Sequence, residues 1–286
     1  MRWRNTRESQ NVEDYRGRST GGGGGGMKFG VLGLVAIVGG YFLGIDPRLI
    51  MGLLGGGTGA PTSEQPVAPG APGDEGGQFV AHVLGDTEET WTSIFAEGGQ
   101  QYVAPHLALF SQGINTGCGS ATSAAGPFYC PPDQKVYIDL AFFRQLETEF
   151  QTQGDFAKAY VIAHEVGHHV QNLLGVSERV HAQRSRMSQA AGNRLSVATE
   201  LQADCLAGVW AFHANRSGQL LEPGDAEEGL RAASAIGDDT LQKAARGRVV
   251  PESFTHGSSA ERVRWFKTGM SSGRVADCDT FASGSL

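Results

Sequence analysis

Basic charge is scarce in most of this chain. Beyond residue 54 it carries 16 Lys and Arg against 26 Asp and Glu, a net of −10 (16 minus 26). A nucleic-acid partner needs a basic face, so none is expected. The acidity mainly serves solubility and biases against acidic substrates. Cysteine is also sparse. Cys118, Cys130, Cys205 and Cys278 show no C-x-x-C spacing, which argues against a cysteine-built metal site. No internal repeat is apparent. Long apolar runs are few; Phe29 to Ile45 is 17 residues without a charge, at the lower limit for a spanning helix.

The flanks decide how that run reads. Residues 1–28 are polar, with six basic residues against three acidic ones, and include the run Gly21 to Gly26. A cleaved signal peptide has a shorter charged start and an A-x-A-like site, and neither is evident here. A buried core helix would not sit between a glycine run and a Pro/Gly-rich stretch. A single-pass anchor over 29–45 fits best, with its basic N-terminal side in the cytoplasm. The expected order is a cytoplasmic tail at 1–28, the anchor at 29–45, a Gly/Pro-rich linker at 46–77 and an exported domain at 78–286. An even cysteine count in an exported domain suggests disulfides. Three pairings are possible. Cys118–Cys130 and Cys205–Cys278 are favoured, the first closing a Gly/Ser/Ala-rich loop and the second tying down the C-terminus. Reduced thiols would fit only a cytoplasmic domain.

Against these absences stands one dense motif, His164-Glu165-Val166-Gly167-His168. On a helix, residues four apart share a face. His164 and His168 can therefore aim imidazole nitrogens at one ion about 2.0–2.1 Å away. Glu165, one step round the helix, can take a proton from a water on that ion. An accidental match arises roughly 1 % of the time in a chain this long. Two histidines on a solvated helix would be the plainer reading, but the flanks Ala159 to Ala163, Val170, Leu173 and Leu174 are apolar. Gly167 costs about 1 kcal/mol against Ala inside a helix, so it predicts close approach of another backbone or of substrate. Gly175 reads as the helix stop.

A hydrolytic zinc site needs a third protein ligand and keeps a fourth position for water. Glu200 is the best candidate, within Glu200-Leu201-Gln202-Ala203-Asp204-Cys205. Leu201, Cys205, Gly208, Val209 and Phe212 follow a helical period, and Glu200 and Asp204 lie four apart on another face. One carboxylate can bind the metal while the other holds a ligand imidazole's free N–H. Glu200 is assigned to zinc, and Asp204 to a ligand histidine, His164 before His168. A solvated acidic face is the alternative; the apolar neighbours Leu201, Ala203 and Leu206 weaken it.

An H-E-x-x-H followed some thirty residues later by E-x-x-x-D resembles the gluzincin class of metallopeptidases. The chain is most similar to the bacterial neutral zinc metallopeptidases, over nearly its whole length. The likeness runs from Met1-Arg2-Trp3-Arg4 and Asn11-Val12-Glu13-Asp14, through Gly126 to Pro131 and Val136 to Leu140, to Ala235 to Asp239 and Ser253 to Ser258. It implies one catalytic zinc ion and a mostly helical α+β, zincin-like (minigluzincin) domain. CAAX-type gluzincins carry Thr-His-Pro with an Arg six residues past the His. Thr255-His256 and Arg262 match that spacing, with Gly257 in place of the Pro. By this resemblance His256 or Arg262 donates to the oxyanion of peptide hydrolysis. Zincin-like folds also lay an extended peptide along an edge strand; the resemblance gives that role to Val136, Tyr137, Ile138, Asp139 and Leu140.

Helices are expected at 78–95, 155–174, 177–190, 194–216, 225–245 and 258–269, and strands at 107–110 and 135–140. His169 points away from the metal and reads as a supporting residue. Asp238-Asp239 read as a helix break or cap after Gly237, and Trp91, Trp210 and Trp265 as packing residues. The functional expectation is a membrane-anchored zinc endopeptidase in the bacterial cytoplasmic membrane, acting on peptide or protein substrates from the periplasmic side. The alternative is a non-hydrolytic extracytoplasmic interaction protein on a zincin scaffold.

Overall fold

The computed structural model describes residues 1–17, 70, 72–148, 154–218 and 220–281. The expected anchor at 29–45 lies outside them, as does most of the linker. Among the described residues no helix is long and apolar enough to cross a membrane.

Strands β1 (Val12–Asp14), β2 (His106–Phe110), β5 (Phe128–Cys130) and β6 (Lys135–Asp139) form one sheet in the order β1-β2-β6-β5. Strands β3 (Gly113–Thr116) and β4 (Gly119–Thr122) form a separate hairpin. β1, β2 and β6 run parallel, and β5 is antiparallel to β6. Side chains alternate along each strand. Leu107, Leu109, Val136 and Ile138 therefore enter the main core, while Ala108, Phe110 and Tyr137 meet Ile114 of the hairpin in a smaller one. Cys118–Cys130 ties that hairpin to β5.

This order corrects the expected substrate strand. Val136 to Asp139 pair with β2, and Val136 and Tyr137 also pair with β5, so the segment lies inside the sheet and Leu140 falls beyond it. Among the described residues the edge strand on this side is β5. The apolar character of Val136 to Ile138 is that of a strand covered on both faces.

The helices are α1 (Glu75–Glu97), α2 (Ala141–Thr148), α3 (Asp155–Leu173), α4 (Val176–Arg184), α5 (Gln189–Gly218), α6 (Asp225–Ala235), α7 (Asp238–Arg246) and α8 (Ser259–Ser272). The motif helix α3 stops where Gly175 turns left-handed, at φ 70°. The expected helix at 225–245 is two helices, because the backbone is extended at Gly237. α8 opens on a capping box between Ser258 and Glu261. Trp91 and Trp210 are buried, and Trp265 packs at the core's margin. Gly167 has a simple explanation: a Cβ there would stand 2.9 Å from the Ala203 carbonyl oxygen. Its absence lets α3 and α5 approach closely enough to share a site.

The N-terminus also departs from expectation. Residues 1–17 are no separate tail, because β1 is a strand of the domain's own sheet. Trp3 is 3 % exposed and Val12 fully buried; burying such side chains stabilises a fold by about 1.5–3 kcal/mol each. The domain therefore includes residues 1–17. A three-residue strand gives too short a pattern to stand out in a polar segment.

Candidate metal centre

α3 and α5 bring His164, His168 and Glu200 together, with one donor atom of each within 4.8 Å of the others. Glu200 Oε2 lies 3.2 Å from His164 Nε2, and Glu200 Oε1 3.5 Å from His168 Nε2. Four ligands about 2.05 Å from a tetrahedral zinc stand roughly 3.3 Å apart, so this spacing suits that ion. The opposite nitrogens are already engaged. His164 Nδ1 is 2.8 Å from Asp204 Oδ1, and His168 Nδ1 is 2.8 Å from the Gln171 side-chain oxygen. Each imidazole thus turns Nδ1 outward and Nε2 toward the common point between them.

Charge in this cluster is strongly perturbed. Burial pulls the His164 imidazolium down, but Asp204 and Glu200 outweigh it and raise its pKa to about 10. His168 is likewise raised by Glu200 against the effect of burial. Burial raises the Glu165 carboxyl, and the two histidines only partly offset it. A proton therefore sits on His164 at neutral pH until a cation replaces it, since a metal ligand must be neutral imidazole. Zinc uptake at pH 7 is expected to release about one proton or more. Affinity should climb as pH rises toward 10, where that proton leaves unaided. Calorimetry in buffers of different ionisation enthalpy reads the number; a value of zero would contradict the assignment of His164.

Asp204 is fully buried and works behind His164. Besides the imidazole it accepts from Arg262, with Nε to Oδ2 at 2.8 Å and Nη2 to Oδ1 at 2.9 Å, and from the Tyr160 hydroxyl. Burial alone would raise its pKa, but Arg262 and His164 bring it down to about 2. Arg262 is only 2 % exposed, and it also donates to the Tyr160 hydroxyl and the Ile236 carbonyl. It lies on the Nδ1 side of His164, away from the ligand atoms. The oxyanion role expected for Arg262 is therefore corrected: its charge serves Asp204, since six-residue spacing says nothing of which side of the imidazole it reaches.

His256 is placed differently. Its side chain is 36 % exposed, and Nδ1 lies 3.2 Å from Asp238 Oδ1. Burial lowers its pKa, but the Asp238 hydrogen bond and the charges of Glu200 and Asp238 outweigh that and raise it. Buried Asp238 also accepts the backbone N–H groups of Thr255, His256 and Gly257. The Gly257 bond explains the departure from Thr-His-Pro, since proline has no N–H to give. Asp238 is thus more than the helix break expected of it. His169 is fully buried; its Nε2–H donates to the Val103 carbonyl at 2.6 Å, and its Nδ1 accepts from the Tyr129 hydroxyl at 3.0 Å. That pair fastens β5 to the metal helix.

Sequence reasoning passed over Gln171, Tyr160 and the Asp238–His256 contact. Gln171 had a visible signal, a polar residue three positions after a ligand histidine on an apolar helix. The others needed the fold. Both favoured disulfides are present, Cys118–Cys130 and Cys205–Cys278, the latter joining α5 to the C-terminal segment.

An Escherichia coli K12 protein named "Uncharacterized protein YpfJ" is 47 % identical over 293 aligned residues, spanning 98 % of this chain and 99 % of that protein. "Uncharacterized protein Rv2575" of Mycobacterium tuberculosis H37Rv is 43 % identical, covering 82 % of this chain and 86 % of its own. No solved structure matches. The family model described as "Putative neutral zinc metallopeptidase" matches residues 1–281, and the chain belongs to that family.

Proposed function

We propose that the chain is a zinc-dependent endopeptidase working outside the cytoplasm. The observation that carries this reading is the convergence of His164, His168 and Glu200 beside a buried carboxylate, Glu165. Zinc held by those three residues would supply a Lewis acid for the scissile carbonyl and bring a water's pKa to about 7. Glu165 takes the proton of the attacking water on its carboxylate and returns it to the leaving amine. Its raised pKa suits both halves of that exchange. Asp204 holds His164 by Nδ1, and Gln171 holds His168 in the same way. His256, steered by Asp238, donates to the developing oxyanion. β5 offers main-chain groups to an extended peptide, leaving selectivity to side-chain pockets.

Two disulfides support an exported domain. We place it at a membrane surface through the apolar run 29–45, with peptide or protein substrates as its partners. The expected result is digestion of unfolded casein or a peptide library by the zinc-loaded protein, abolished by a chelator and restored by zinc. Zinc-loaded protein that cleaves no library peptide would favour the non-hydrolytic scaffold instead.

A further inference from the structure

Residues 1–17 are built into the domain at every level. β1 adds to the sheet with Val12, Glu13 and Asp14 opposite Leu107, Ala108 and Leu109. Trp3 is buried, and its indole N–H donates to Asp155, the first residue of the motif helix, at 3.0 Å. Glu88 on α1 is 6 % exposed and accepts hydrogen bonds from Arg7, Ser9 and Asn11, all in the N-terminal segment. Gly85 records the same contact from the domain's side: a Cβ there would sit 2.1 Å from the Arg7 carbonyl oxygen.

A strand and its sheet partner must share one aqueous compartment. Residue 17 and residue 72 are nonetheless separated in sequence by the apolar run. Entering and leaving on the same side requires an even number of crossings. An odd number of crossings would put the two partners in different compartments.

We infer that residues 1–17 lie on the same side of the membrane as the metal centre. This replaces the cytoplasmic tail and single crossing expected from charge distribution. The positive-inside rule reads basic residues near an apolar run. Here Arg2, Arg4, Arg7 and Arg16 are instead spent on Glu222, Glu75, Glu88 and Asp74 of the domain.

The test uses the full-length chain in spheroplasts, with a membrane-impermeant maleimide. All four native cysteines are in disulfides, so an introduced thiol is the sole target. Glu8→Cys and Glu178→Cys, both at exposed positions, are expected to label to the same extent before lysis. Labelling of both only after lysis would still support the inference, while overturning the extracytoplasmic placement proposed above. Labelling of Glu178→Cys before lysis and of Glu8→Cys only after it would overturn the inference. An Arg4→Cys, Glu75→Cys pair guards against misfolding. In membranes, a short bismaleimide should join the two positions, and two reactive thiols that never join would also overturn it.

Discussion

Glu165→Gln should keep its zinc and lose peptide hydrolysis by about 10²–10⁴-fold, the usual contribution of a positioned general base. The amide fills the space of the carboxylate and cannot take a proton. Glu165 is buried, 7 % exposed, and is absent from the converging donor group. Metal content should therefore stay at the wild-type level while turnover collapses. The measurement pairs elemental analysis with digestion of the same preparation. Turnover within a few-fold of wild type would remove Glu165 from the reaction. Loss of zinc together with activity would mean that Glu165 supports the metal instead.

Arg262→Ala should be the most destabilising single change at this site. It leaves Asp204 fully buried with its main countercharge gone, and breaking a buried ion pair typically costs about 3–5 kcal/mol. Lysine should rescue little, because one ammonium cannot replace a fork that meets both carboxylate oxygens. Loosening Asp204 also loosens His164, so zinc affinity should drop roughly 10–100-fold, as when the outer partner of a ligand histidine is lost. Denaturant unfolding and zinc titration read the two effects. An oxyanion donor would behave otherwise, with normal stability and zinc affinity and a lowered kcat. That outcome would return Arg262 to the catalytic role taken from it here.

The chemistry was more legible in the sequence than the sheet or the chain's path. H-E-x-x-H and E-x-x-x-D can be read because metal coordination demands set residue types at helical spacing, and both segments fold as helices. His164, His168, Glu200 and Asp204 accordingly meet where that spacing put them. Arg262 was misjudged because spacing brings it to His164 without saying on which side. The edge strand was misjudged for a related reason: an apolar hexamer reads as a strand, but its rank in the sheet depends on what else pairs there. β5 and β1 are three residues each, too short for alternation to show. At the N-terminus the arginines were counted as a topology signal, whereas their partners Glu75, Glu88 and Glu222 lie far away in sequence.

The account rests on one cation held by two imidazoles and a carboxylate. Zinc-edge X-ray absorption on the full chain, with metal content measured alongside, addresses this most directly. It should show about one zinc per chain, bound by two imidazole nitrogens and oxygen at roughly 2.0–2.1 Å, with no sulfur. His164→Ala and Glu200→Ala should each abolish that signal. Sulfur in the coordination shell, or an unchanged spectrum in either variant, would contradict it.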